Sequence, residues 1–165
     1  MRILIDADGC PVVDLTIGLA REFGLECIIL CDTAHYFNRE GARTVVLSQG
    51  ADSVDFALVN MVQAGDIVVT QDYGLAAMCL ARNSKPVNQN GMRYHDGNID
   101  GLLASRHTAQ KIRRGGGRTK GPTKRTKEQD EAFICQLRNM IVAGLAEEDK
   151  VQTANKQQNE GGNEQ

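Results

Sequence analysis

Short, unbroken apolar runs alternate along the first hundred residues with stretches in which apolar side chains return every three or four positions. The runs lie at 2–5, 27–30, 44–47 and 67–70, and Pro86-Val87 opens a short fifth. All are of strand length. Helical spacing occupies 12–23, 52–64, 73–81 and 99–107; within the second of these, Val54, Leu58, Met61 and Val62 fall on one face. Strands that are apolar throughout, rather than alternating, are buried on both sides. Separated by helices, they predict an α/β fold with a mainly parallel sheet covered on both faces. No internal repeat is visible.

After Arg106 the texture changes. Gly115-Gly116-Gly117 and Gly121-Pro122 cannot sit inside a regular helix or central strand, so 114–127 reads as a flexible loop. Helical spacing returns over 128–145 through Ala132, Phe133, Leu137, Ile141 and Val142. That helix either covers the sheet or forms a contact in a homodimer, and both remain open. From about Glu147 the chain is Gln, Asn, Glu and Gly with little to bury, which predicts a disordered tail. The expected organisation is an α/β domain over 1–105, a basic Gly-rich segment over 106–127, a helix over 128–146 and a polar tail over 147–165.

Charge sharpens this division. The 165 residues carry a formal net charge of only −2, but the charges are segregated. Residues 1–105 hold 7 Lys and Arg against 13 Asp and Glu, residues 106–127 hold 9 against none, and residues 128–165 hold 3 against 8. An acidic body thus carries one concentrated basic segment. The length suits one domain with an appendage and a core that needs no disulfide or metal staple. No apolar run approaches the roughly 20 residues of a spanning helix, and Asp6 arrives too early for a secretory leader. Cys10, Cys27, Cys31, Cys79 and Cys135 form no CxxC pair, the usage of a cytosolic protein with reduced thiols. Aromatic residues at 4% leave little to build a base-stacking platform.

The candidate chemistry lies in carboxylates at strand ends. Asp6 and Asp8 follow the first run, Asp72 follows the fourth, and Asp52 and Asp55 open the second helix three residues apart. Sites in open α/β sheets form beyond the carboxyl ends of strands, where the strand order reverses. If the first and fourth strands are neighbours there, Asp6, Asp8 and Asp72 converge and Asp55 reaches in from its helix. Crowded carboxylates must share a proton or bind a hard divalent cation. Mg²⁺ or Mn²⁺ suits sparse oxygen ligands, and either can polarise a phosphate and lower the pKa of bound water. Singly, each acid has a structural explanation: Asp52 as a helix cap, Asp55 at the positive helix end, Asp8 in a turn before Gly9. Their joint placement on one edge favours chemistry.

The passages Ile3-Leu4-Ile5-Asp6-Ala7-Asp8 and Asp55-Phe56-Ala57-Leu58, with Thr70-Gln71-Asp72-Tyr73-Gly74-Leu75-Ala76, resemble the pattern of PIN-domain nucleases. More narrowly, Asp6 to Val12, Gly50 to Asn60, Val69 to Ala76 and Gly116 to Pro122 are similar to the YaiI/YqxD family of PIN-like proteins, over about residues 1–145. The resemblance implies a three-layer α/β/α sandwich with strand order 3-2-1-4-5 and a Mg²⁺/Mn²⁺-dependent, ribonuclease-like site. Carried over by position, Asp6 and Asp72 are metal ligands and Asp55 the helix-borne acid. Asp8 stands where many PIN domains have Asn, and Asp52 has no firm counterpart. Thr70 and Ser53 would orient water or phosphate, although Thr suits a strand end and Ser a first helical turn.

An acidic metal site repels nucleic acid, and the basic segment would offset that by pairing with phosphates. Arg113, Arg114, Arg118, Lys120, Lys124 and Arg125 are the candidates, with RNA ahead of DNA as the partner. They would supply affinity rather than sequence preference. His35, His95 and His107 lack ligand spacing, and Cys10 would be pushed away from nucleophilicity by the acids beside it. One rival is a haloacid-dehalogenase-like phosphatase with Asp6 as nucleophile, Asp8 as acid/base, and Thr70 and Lys85 in its later motifs. Its final acids fit poorly, since Asp96 and Asp100 follow Arg93-Tyr94-His95 rather than an apolar strand. The other rival is a non-catalytic RNA-binding or adaptor module.

Overall fold

In the computed structural model, residues 1–33, 38–48, 53–114 and 124–160 are described, with side chains omitted for 106–114 and 155–160. The strands are β1 (Ile3–Asp6), β2 (Cys27–Asp32), β3 (Arg43–Leu47), β4 (Ile67–Val69) and β5 (Lys85–Val87). The helices are α1 (Val13–Glu22), α2 (Ser53–Met61), α3 (Tyr73–Leu80), α4 (Asp96–Arg114) and α5 (Lys127–Glu160). The strands form one parallel sheet in the order β3-β2-β1-β4-β5, as expected. Ile3 pairs with Cys27 on one side and Ile67 on the other, so β1 lies at the centre.

The apolar runs are unbroken because alternate residues serve opposite faces. Ile3, Ile5, Ile29, Ile67 and Val69 pack toward α1 and α5, where they meet Val13, Ile17, Phe133, Leu137 and Ile141. Leu4, Ile28, Leu30 and Val68 pack the other way, onto Val54, Leu58 and Val62 of the α2 region and Leu75 and Cys79 of α3. A third cluster, Ala76, Tyr94 and Ile99, seats α4 on α3. The result is a three-layer α/β/α sandwich.

Ionic bonds cross the amino edge of the sheet. Asp66, 2% exposed, accepts from the Arg2 backbone N–H at 2.9 Å, from the Gln63 N–H at 2.9 Å and from the Arg2 guanidinium at 2.6 Å. Lys85 pairs with Glu147 of α5 at this edge, and the amino terminus with Glu148.

Two helices run further than the sequence pattern indicates. α4 continues past 107 to Arg114, up to the segment expected to be a loop, and α5 continues past 146 to Glu160. Glu, Lys, Gln and Ala are frequent in these extensions and have good helix propensity; a docked first half supplies the nucleus from which a polar helix propagates. Phe133, Leu137, Met140 and Ile141 are the positions that dock α5, so this helix covers the sheet. Its start is fixed by the β5–α4 loop. Gly91 takes φ +83° with its Cα against α5, where a Cβ would stand 2.9 Å from the Ala132 carbonyl oxygen.

Candidate functional site

A cleft of about 430 Å³ opens at the carboxyl edge of the sheet, lined by Asp6, Asp8, Gly9, Asp32, Ser53, Val54, Asp55, Gln71 and Asp72. Each acid arrives from a different piece of local structure. Asp6 is the last residue of β1 and Asp32 the last of β2. Asp8 occupies the β1–α1 turn, closed by a Cys10 N–H to Ala7 carbonyl bond of 3.1 Å and relieved by Gly9 at φ +71°. Asp55 stands in the first turn of α2, and Asp72 follows β4. β1 and β4 are neighbours, while the chain leaves β1 for β2 on the other side, so the cleft lies where the strand order reverses.

Thr70 joins the two strand-end acids. Its hydroxyl donates to Asp6 Oδ2 at 2.7 Å and accepts from the Asp72 N–H at 3.0 Å, with the residue 1% exposed. Gln71 ties the first turn to the second loop, its Nε2 donating to the Gly9 carbonyl at 2.8 Å. Asp72 caps α3: its Oδ1 accepts from the N–H groups of Gly74 at 2.6 Å and Leu75 at 3.0 Å. Such a cap fixes the carboxylate and places it against the positive helix end.

The electrostatics follow from this crowding. Burial raises the Asp6 carboxyl most; the Thr70 hydrogen bond opposes it, and repulsion from Asp55, Asp8 and Asp72 adds to it, leaving a value of about 6 against an ordinary 3.8. Burial also pushes the Cys10 thiol up to about 11, with Asp6 adding to the rise, so this sulfur is no nucleophile. No Lys or Arg among the described residues lines the cleft. Among the described residues, no three His, Cys, Asp or Glu side chains form a preassembled metal-binding group.

The structure brings Asp6, Asp8, Asp55 and Asp72 together on one cleft. Asp52, expected as a cap, lies outside the described residues; Asp72 caps α3. Ser53 lines the cleft, but its hydroxyl donates to the Ser48 carbonyl at 2.9 Å and so fastens the loop before α2. Asp32 is the cleft acid that sequence reasoning misses, and Gln71 is missed with it. The signal for Asp32 lies in the run 27–32, but ending the second strand at Leu30 hides an acid at a strand end.

The basic candidates divide. Lys124 is exposed. The side chains of Arg113 and Arg114, and all of Arg118 and Lys120, lie outside the described residues. Arg125 is half-buried and donates to Asp130 Oδ1 at 2.5 Å, Asn90 Oδ1 at 3.0 Å and the Gln89 carbonyl at 2.6 Å, stapling the start of α5 to the β5–α4 loop. Lys85, named for the phosphatase alternative, stands at the amino edge with Glu147, at the far end of the sheet from Asp6.

Residues 4–143 match the family model described as "Uncharacterized BCR, YaiI/YqxD family". The chain is 61% identical over 133 residues to a UPF0178 protein of Exiguobacterium sibiricum, covering 81% of this chain and 91% of that one. A UPF0178 protein of Ruminiclostridium cellulolyticum is 53% identical over 133 residues, 81% of this chain and 87% of that one. One of Clostridium acetobutylicum is 44% identical over 146 residues, 87% of this chain and 99% of that one. No solved structure gives a significant match.

Proposed function

Since the chain belongs to the YaiI/YqxD family, whose description assigns no reaction, its chemistry must be read from its own cleft, and we propose that it is a Mg²⁺- or Mn²⁺-dependent nuclease that hydrolyses phosphodiester bonds, RNA ahead of DNA. The observation that carries this reading is a cleft whose described lining holds five aspartates and no Lys or Arg. The donor set is all oxygen and all anionic, the choice of a hard divalent cation. Asp6, Asp8, Asp55 and Asp72 would hold it, with Asp32 adding negative potential from the β2 end. Mg²⁺ keeps several waters and needs one or two direct carboxylates beside the substrate phosphate, so an open wall of acids suits it better than a closed cage. When bound, such an ion activates water and offsets charge on the phosphate and the leaving oxygen.

The chain's own groups do the positioning. Thr70 fixes Asp6 through Oδ2 and the Asp72 backbone through its N–H, setting the two strand-end acids in one frame. The amides of Gly74 and Leu75 hold Asp72 from behind. Gln71 keeps the Asp8-Gly9 turn against the β4–α3 loop. Lys124, with Arg113, Arg114, Arg118 and Lys120, supplies phosphate contacts that offset the acidic cleft.

The test is cleavage of labelled single-stranded RNA and DNA with Mn²⁺ or Mg²⁺. Wild-type protein is expected to cut, and Asp6→Asn or Asp72→Asn to bind undiminished without cutting. Wild-type protein that cuts neither polymer with either metal refutes the proposal. Binding lost on removal of 106–127, with Asp6→Asn indistinguishable from an inactive wild type, establishes an adaptor instead.

A further inference from the structure

Phe56 is 59% exposed and joins none of the three buried clusters. Among the described residues it is the one aromatic side chain that is exposed. Its place matters more than its exposure. It sits in the first turns of α2, directly after Asp55 and three residues after Ser53, both of which line the acidic cleft. Residues three apart share a helix face. A helical side chain also leans back over the turn on its amino-terminal side; for Phe56 that is the turn carrying Ser53 and Asp55, which places it beside the cleft although it is not among the lining residues. The other large exposed apolar residues are elsewhere: Val142 and Val151 on α5 across the sheet, and Val46 on the edge strand β3.

We infer that Phe56 is a stacking residue for one nucleobase next to the phosphate held at the carboxylate cleft, and that the substrate is therefore single-stranded. The inference rests on the nuclease reading of that cleft. A lone ring flanked by Asp55 and by the exposed Asn60 one turn on is far smaller than the contiguous apolar patch that marks a protein interface. It matches the face of one base. In a duplex both faces of each base are covered by neighbours, whereas an unpaired base can turn out onto an aromatic ring. Stacking needs no particular base, so the contact sets strandedness and position rather than sequence. The scarcity of aromatic residues allows one such contact, not a platform.

The chain contains no Trp, so Phe56→Trp introduces a single indole fluorophore at the proposed contact. Titration with a short single-stranded RNA in EDTA, where no metal-dependent cleavage occurs, is expected to quench its emission. Anisotropy with the same labelled RNA should show Phe56→Ala binding about tenfold more weakly, the loss of one stacked base. Phe56→Tyr should bind as the wild type does, and affinity for the matching duplex should not change. Indole emission from Phe56→Trp that stays unquenched at saturating RNA, or equal binding by Phe56→Ala and wild type, overturns the inference. If the wild type cleaves in Mn²⁺ and Phe56→Ala cleaves and binds equally well, stacking fails and the nuclease reading stands. Quenching without cleavage of any substrate keeps the contact and removes the nuclease.

Discussion

Replacing Asp6 by Asn preserves the side chain's shape and its hydrogen bond from the Thr70 hydroxyl, but removes a charge the fold opposes. Burial, together with repulsion from Asp55, Asp8 and Asp72, raises this carboxyl from 3.8 to about 6 despite the Thr70 bond. The folded protein thus holds the proton more tightly than the unfolded chain does. The stability contributed by this group is complete below its unfolded value and disappears as pH rises through its folded value, a window from about pH 4 to pH 6. At about 1.4 kcal/mol per pH unit, the ionised form costs the metal-free fold roughly 2–3 kcal/mol at pH 8, allowing for partial solvent screening. Asp6→Asn should recover that amount, raising Tm by roughly 5–10 °C for a chain of this size. The assay is thermal unfolding in EDTA at pH 8 and pH 4, with the advantage present at the first and nearly absent at the second. Mn²⁺ should then reverse the order, stabilising wild type and not the variant. A variant no more stable than wild type at pH 8, or equally advantaged at both pH values, refutes this account of the cleft.

Thr70→Val removes the one hydrogen bond that favours ionised Asp6, so the acidic limb of a cleavage pH profile should move to higher pH. An unmoved limb would show that Asp6 does not govern it. Asp72→Ala should cost about 1 kcal/mol of folding stability through the lost α3 cap, measured by urea unfolding, as well as abolishing cleavage. Asp72→Asn should abolish cleavage at smaller cost in stability. Arg125→Ala should destabilise the fold by about 1–2 kcal/mol through its bonds to Gln89, Asn90 and Asp130, whereas Lys124→Ala should leave stability unchanged and weaken RNA binding in a salt-dependent way.

The sheet was legible because its strands are buried on both faces. Ile3-Leu4-Ile5 and Ile67-Val68-Val69 have no polar position to confuse, and the first run stops at Asp6, which can only face solvent or a site. The edge carrying Asp6, Asp8 and Asp72 followed from the same pattern. What the pattern could not reveal is how a side chain divides its bonds. Asp72 both caps α3 and lines the cleft, and Thr70 serves two acids from a position where Thr is common in any strand. Arg125 reads as one more cation in a basic run until the β5–α4 loop folds against it. Helix ends were least legible: the sequences of the α4 and α5 extensions are too polar to carry a periodic apolar signature, so only intrinsic propensity marks them.

That these separated acids hold one divalent cation is tested most directly by anomalous scattering from crystals soaked in Mn²⁺. A manganese peak is expected in the cleft, bonded to carboxylate oxygens of Asp6 and at least one of Asp8, Asp55 and Asp72, and absent in Asp6→Asn. Full manganese occupancy elsewhere on the molecule, with none in this cleft, would contradict it.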